Sequence, residues 1–487
     1  MPDGTHATGP DPRPCHDTGD VRGWRPTSAA VALAFAALLA GCALTRSDPE
    51  KPELPLPDAL PAATGSLPAL PTPWWHVFDD STLDALIREA LQRNPDIAVA
   101  AARVAEARAI TRAVRADQLP SVGLEAGVER SRESVLTLPF EGARTTQTAY
   151  YVQGSVRYEL DLWGRYAHAS EAARARLLAS ELDQEAVRLS LSGEVARAWY
   201  ALKAANEQLI NARASLANRE ESLRIERIRE EGGESDEFTL KRVQAEVAAT
   251  RTAQQQFELE VARRANALAV LLGRSPKEMV DARIAPAGEL PDSAPQLPAG
   301  LPSSVLEQRP DIVAAEANLE AAAADVGVAR ADLFPRISLT GLFGWASLEL
   351  DDLFTAPAET WSAAAALAQP LFEGGRRVAG VDRAEALKQQ SRAEYARTVQ
   401  EAFGEVLDAL EGQRSLGAIE ESASERAGAL SRATELAELR YREGDIAYLE
   451  LLDVRRDLFQ SEIDLVAARR DTLTNAVDLA LALGARL

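Results

Sequence analysis

The chain repeats itself, and that repeat leaves few folds open. Leu91-Gln92-Arg93-Asn94-Pro95-Asp96-Ile97 recurs as Leu306-Glu307-Gln308-Arg309-Pro310-Asp311-Ile312. Ala116-Asp117-Gln118-Leu119-Pro120 recurs as Ala331-Asp332-Leu333-Phe334-Pro335, at the same offset of 215 residues. Farther on, Leu162-Trp163-Gly164-Arg165 faces Leu371-Phe372-Glu373-Gly374-Gly375-Arg376, and from there the offset is 211. It holds for Gly193-Glu194-Val195 against Gly404-Glu405-Val406, for Gly233 against Gly444, and for Leu272-Gly273 against Leu483-Gly484. A register that changes only once, by four residues, marks a tandem duplication. Helices that are alike only in being Ala-rich would not keep it.

Each copy reads as helix, strand, strand, long helix, helix. Asn94-Pro95-Asp96 and Arg309-Pro310-Asp311 place Pro in a first helical turn with an acid beside it. Those helices run to about residues 118 and 334, and Pro120 and Pro335 end them. Period-two segments follow at about 121–134 and 146–160, then 336–347 and 361–372. Tyr150, Val152, Val156, Tyr158 and Leu160 share one face, opposite Gln147, Gln153, Ser155, Arg157 and Glu159. Val122, Leu124, Ala126 and Val128 oppose Ser121, Glu125 and Glu129. Ile337, Leu339, Phe343 and Trp345 oppose Ser338 and Thr340, while the last segment is Ala-rich and less clear. Tyr150 and Tyr158 stand roughly 26 Å apart at ~3.3 Å per residue. That matches aromatic girdles bounding an apolar band of about 25 Å.

The next stretches, about 166–231 and 378–443, contain no proline and read as continuous helix, and Gly232-Gly233 and Gly444 end them. At ~1.5 Å per residue each is on the order of 100 Å long. Returning helices run over about 236–272 and 446–483. A returning helix and the helix before the strands together nearly match one long helix, so the two stack end to end along it. Such lengths make a rod or a tube rather than a compact globule.

The beginning of the chain reads as an export leader. Arg13, Arg22 and Arg25 precede an apolar run, Ala29 to Ala40, too short to span a bilayer. It ends in Leu39-Ala40-Gly41-Cys42, which resembles the bacterial lipobox, whose cysteine is acylated and begins the mature protein. In lipoprotein sorting an Asp after that cysteine retains the protein at the inner membrane; Ala43 points to the outer one. The other cysteine, Cys15, leaves with the leader, so no disulfide is expected. The domains are therefore a leader (1–41), a Pro-rich tether (42–79), repeat 1 (80–273), a connector read as a belt around the middle (274–303) and repeat 2 (304–487).

Composition and motifs exclude other classes. A net charge of −21 leaves no basic surface for nucleic acid. Catalysis is not expected: His76 and His168 are isolated, and no phosphate-binding glycine loop, nucleophile elbow, cofactor motif or metal-spaced Cys/His set occurs. A periplasmic adaptor would show one helical hairpin flanked by small β domains. A coiled-coil scaffold lipoprotein would leave the alternating strands unexplained.

Residues 42–487 resemble the outer-membrane factor family of the TolC and OprM type, and its NodT-like lipoprotein branch. The resemblance rests on the Cys42 lipobox, the paired helix starts, Asp161-Leu162-Trp163-Gly164-Arg165 and Tyr441-Arg442-Glu443-Gly444. It implies a mainly α fold with membrane β. A homotrimer would form a 12-stranded β-barrel continuous with a long α-helical periplasmic tunnel. The implied partners are a periplasmic adaptor, an inner-membrane pump and outer-membrane lipid. The function implied is multidrug export. By the same resemblance, Gly232, Gly233, Gly444 and Asp445 form the periplasmic tip that faces the adaptor. Glu450 and Asp453 become the pore constriction, and Tyr441 links neighbouring helices in the closed state. The arginine that accompanies that tyrosine in the family is replaced by Ile446. By the internal offset, repeat 1 carries Thr239 and Arg242 where repeat 2 has Glu450 and Asp453, so an acidic ring would be three-fold.

Overall fold

The computed structural model describes residues 45–55, 71–132, 134, 146–285, 288–295, 297 and 308–487. The leader and Cys42 lie outside the described residues. The first copy contributes α1 (Ser81–Arg93), α2 (Pro95–Ala116), β1 (Ser121–Arg132), β2 (Thr146–Leu160), α3 (Arg165–Glu231) and α4 (Glu237–Leu271). After a short α5 (Pro276–Asp281), the second copy contributes α6 (Pro310–Ala331), β3 (Arg336–Ser347), β4 (Glu359–Ala368), α7 (Arg376–Glu443) and α8 (Tyr448–Ala482).

Local chemistry sets the helix starts. Asp80 caps α1 by accepting from the amides of Thr82 and Leu83 at 2.9 and 3.0 Å. Asn94 caps α2 by accepting from the Asp96 amide at 2.7 Å, with Pro95 in the first turn where no amide is needed. Asp161 receives the Tyr166 and Ala167 amides at the head of α3.

The helices form one wall. α3 packs against α2 and α4 on one side and α6 and α8 on the other, and α7 packs on α6 and α8. The stacked joints are bonded alike in the two copies. The Asn94 amide donates to the Leu271 carbonyl at 2.8 Å. At the equivalent joint the Arg309 guanidinium donates to the Ala482 carbonyl at 3.2 Å and to Asp311 and Glu405, each at 2.8 Å. With 67 and 68 residues, α3 and α7 each run on the order of 100 Å.

The main core is a belt halfway down this wall. Trp74, Trp75, Leu83, Ile87 and Ala90 pack against Val195, Trp199 and Leu202 of α3, and Val406, Val477 and Leu483 extend the cluster into the second copy. Both indoles at its centre are satisfied: Trp74 donates to Ser192 at 3.0 Å and Trp199 to Asp80 at 2.9 Å. The connector also contributes. Arg274 is held by Glu89 at 2.8 and 2.9 Å, and Glu278 takes Arg93 at 2.8 Å on both carboxylate oxygens while closing a capping box with Ser275.

The four strands form one antiparallel sheet in sequence order, with β2 and β3 joining the copies. The register puts Val122 beside Val156, Val128 beside Tyr150, Tyr158 beside Leu339 and Phe343 beside Trp361. One face is thus apolar across all four strands. That face is largely open among the described residues, with Phe354 packing on Trp345 at its end: Val122 and Leu124 are each 79% exposed and Trp361 is 72% exposed. The other face carries Glu125, Gln153, Ser155, Arg157, Ser338 and Thr340. The last strand lies slightly earlier than its sequence pattern suggests. It begins at Glu359 and ends at Ala368, just before Pro370, which has no amide for a ladder.

The first described residues lie across the top of the helices. Thr45 is fully buried; its hydroxyl donates to the Trp163 carbonyl at 3.0 Å and lies 3.2 Å from His168 Nε2. Arg330 of α6 donates to the Arg46 carbonyl at 2.9 Å, and Lys388 of α7 to Ser47 at 3.0 Å. Three consecutive residues therefore bind α3, α6 and α7 just below the sheet, and His168 is part of this seat.

Candidate functional site at the helical tip

Two equivalent turns form the end of the wall farthest from the sheet. Gly233, at φ +74°, closes α3: the Glu234 amide reaches the Arg229 carbonyl at 2.8 Å and the Gly233 amide that of Glu230 at 3.0 Å. Gly444, at φ +83°, closes α7 in the same way. The Asp445 amide bonds to Arg440 at 2.9 Å and the Gly444 amide to Tyr441 at 3.1 Å. This helix end needs a left-handed residue, which glycine supplies without a Cβ clash. Gly232 is ordinary helical backbone at φ −80°, so of the pair only Gly233 is required by conformation.

The two hairpins are tied together here. Arg229 of α3 donates to the Tyr441 hydroxyl, and its guanidinium carbon lies 5.2 Å from the ring centroid. Tyr441 meets Tyr448 edge-on at 5.4 Å. Arg455 of α8 bonds Glu438 of α7 at 2.7 Å and Ser222 of α3 at 3.0 Å. Buried Arg219 pairs with Glu246 of α4 at 2.8 Å and lies 5.8 Å from the Phe459 ring of α8. Between α3, α7 and α8 there is a cavity of about 330 Å³ bordered by Ser222, Glu226, Glu438, Tyr441, Tyr448 and Arg455. Burial raises the hydroxyl pKa of Tyr448, and of Tyr441 against the opposing pull of Arg229. Both rings therefore stay neutral near pH 7.

Glu450 and Asp453 lie on one side of α8, three residues apart, in its first two turns. Their surroundings differ. Among the described residues Glu450 makes no ion pair. The Asp453 carboxylate lies 3.4 Å from Arg456 and 4.0 Å from Arg242 of α4. The Asp445 side chain likewise stands exposed without an ion pair among the described residues. Thus the four turn positions and Tyr441, Glu450 and Asp453 all lie at one end of the molecule. The sheet tyrosines Tyr150 and Tyr158 lie at the other.

Sequence reasoning missed Arg229. It stands two residues from the end of α3 among several charged residues, and nothing local distinguishes it. Only pairing the two turns by the 211-residue offset, and asking what faces Tyr441, could have found it. Among the described residues no three His, Cys, Asp or Glu side chains converge to hold a metal, and no helix is long and apolar enough to cross a membrane.

Comparison with known proteins bears on the fold and the family. The family model for outer membrane efflux proteins matches residues 86–274 and 301–485, one match per copy. The probable outer membrane lipoprotein SilC of Salmonella typhimurium is 33% identical over 460 residues, covering 92% of this chain and 96% of SilC. The outer membrane protein OprJ of Pseudomonas aeruginosa is 34% identical over 465 residues, covering 94% and 96%. The crystal structures of CusC, which describe folding and transmembrane channel formation, superpose with a TM-score of 0.80 at 32% identity, covering 90% of this chain and 99% of CusC. With its duplicated helix–strand–strand–helix–helix unit matched twice over, the chain belongs to the outer membrane efflux protein family.

Proposed function

We propose that this chain is the outer-membrane channel of a tripartite efflux system. It is a passive duct, without catalysis of its own, for small molecules handed over by an inner-membrane pump and a periplasmic adaptor. One observation carries the proposal: a four-stranded sheet with an uncovered apolar face and two unpaired edge strands, set on helices on the order of 100 Å long. Unpaired edges are not tolerated in lipid, and four strands cannot close a barrel. Copies must pool their strands, and three copies give twelve.

Exposed apolar side chains on both flanks of the helical wall support side-by-side assembly of protomers. Val99 and Ile110 of α2 and Val270 of α4 lie on one flank, and Ile419, Leu436 and Leu439 of α7 on the other. Tyr150 and Tyr158 then sit at the two lipid interfaces. Cys42 carries the acyl chains, three residues before Thr45 in its seat below the sheet. Gly232, Gly233, Gly444 and Asp445 face the adaptor, Tyr441 with Arg229 holds the closed tip, and Glu450 and Asp453 line its constriction. The cargo is read as organic. Soft metal ions favour thioether ligands, and methionine occurs only at Met1 and Met279.

Reconstitution in planar bilayers tests the duct. Purified full-length protein should insert and conduct ions in discrete steps. A protein that binds vesicles through its lipid yet leaves bilayers silent would instead be an adaptor or scaffold lipoprotein.

A further inference from the structure

Resting on the constriction just proposed, we infer that Arg242 is a selectivity-determining residue that makes the ring at the tip mixed in charge rather than acidic. Arg242 and Asp453 occupy the same position in the two copies, separated by the internal offset of 211 residues, and their charged groups lie 4.0 Å apart. Both are partly open to solvent, at 38% and 50% of the side chain. Positions equivalent by internal duplication become six alternating positions when three copies close around an axis. The ring at this level therefore runs Arg242, Asp453, Arg242, Asp453 around the pore. Arg456, 3.4 Å from Asp453, adds a second cation on the same helix. At the level of the constriction each protomer sets two carboxylates, Glu450 and Asp453, against two guanidiniums, Arg242 and Arg456. A ring of one sign selects ions of the other sign, whereas a balanced ring selects weakly.

The test is the reversal potential across a planar bilayer in a KCl gradient, with full-length protein whose trimer mass in detergent matches wild type. R242Q should raise the cation-to-anion permeability ratio severalfold, and R242K should leave it at the wild-type value. E450Q/D453N should turn the channel anion-selective, because the Arg242 ring is then unopposed. If E450Q/D453N merely lowers cation preference and R242Q changes nothing, the constriction stands and the role of Arg242 is overturned. If none of these substitutions moves selectivity or conductance, the constriction itself is misplaced and the inference falls with it.

Discussion

The guanidinium of Arg229 lies against the face of Tyr441 and donates to its hydroxyl, joining the last turn of one long helix to the last turn of the other. The two residues are 212 positions apart in sequence and belong to different copies of the duplicated unit. This contact ties the tips of the two hairpins within one protomer. In the proposed channel it holds the second hairpin inward. Y441F and R229A should each weaken that hold by about 1.5–3 kcal/mol, the range for a hydrogen bond to a charged group. Single-channel recordings should show larger or longer-lived open states for both variants, with Y441F the milder because it keeps the cation–ring contact. Conductance unchanged from wild type would mean that the tip is closed by other contacts.

Leu124 and Glu125 are neighbours in sequence and lie on opposite faces of the sheet. On the apolar face, L124R should cost about 2–4 kcal/mol if the residue sits at the bilayer midplane. E125R changes only the opposite, polar face, which lines the lumen in the proposed channel, and should insert as wild type does. Folding into lipid vesicles, scored by the heat-dependent gel shift of outer-membrane barrels, separates the two. Equal insertion would contradict the assignment of faces.

Trp74 is fully buried in the belt and bonded to Ser192. Trp74→Ala should cost about 3–5 kcal/mol through the cavity it leaves. Because Trp74 packs where α1 meets α3, hydrogen exchange should rise first around residues 81–93 and 191–202, with the sheet little affected.

Glu278 gives a pH signature to the connector. Its hydrogen bonds from Arg93, then those from Ser275, hold its carboxyl pKa down to about 2, from an unfolded value of 4.5. A depressed folded pKa gives stability that is fully present above the unfolded value and is lost as pH falls through the folded one. The Arg93–Glu278 contact therefore persists at pH 4 and fades toward pH 2. Hydrogen exchange over residues 275–282 should be faster in E278Q than in wild type at pH 5–7, and the difference should shrink as pH falls toward 2 and vanish only below it. A difference that persisted undiminished there would show that the side chain stabilises the connector other than by charge.

Periodicity and breakers carried much of this architecture. The spans of β2 and β3 follow from a period of two that runs through most of each strand, broken at Tyr151 and Leu342, which fall on the polar face. Both long helices end at glycines that only a left-handed turn explains. Less legible were features made by distant partners. Trp74 and Trp75 close a Pro-rich stretch and look like part of a spacer, yet they fill the belt, because their packing partners lie on α3, more than a hundred residues on. Arg309 replaces Asn94 at a stacked joint, and its role appears only with the Ala482 carbonyl in place. Arg229 and the pairing of Arg242 with Asp453 arise where separate hairpins meet, and no local pattern encodes that.

The central claim is that several copies of this chain pool their strands in an acylated assembly. The most direct measurement is the native mass of the palmitate-labelled, detergent-solubilised protein from outer membranes, beside a Cys42→Ser control. The account predicts a labelled species at three times the protomer mass, with the label absent from the control. An unlabelled monomer in the soluble fraction would contradict both the lipid anchor and the shared barrel.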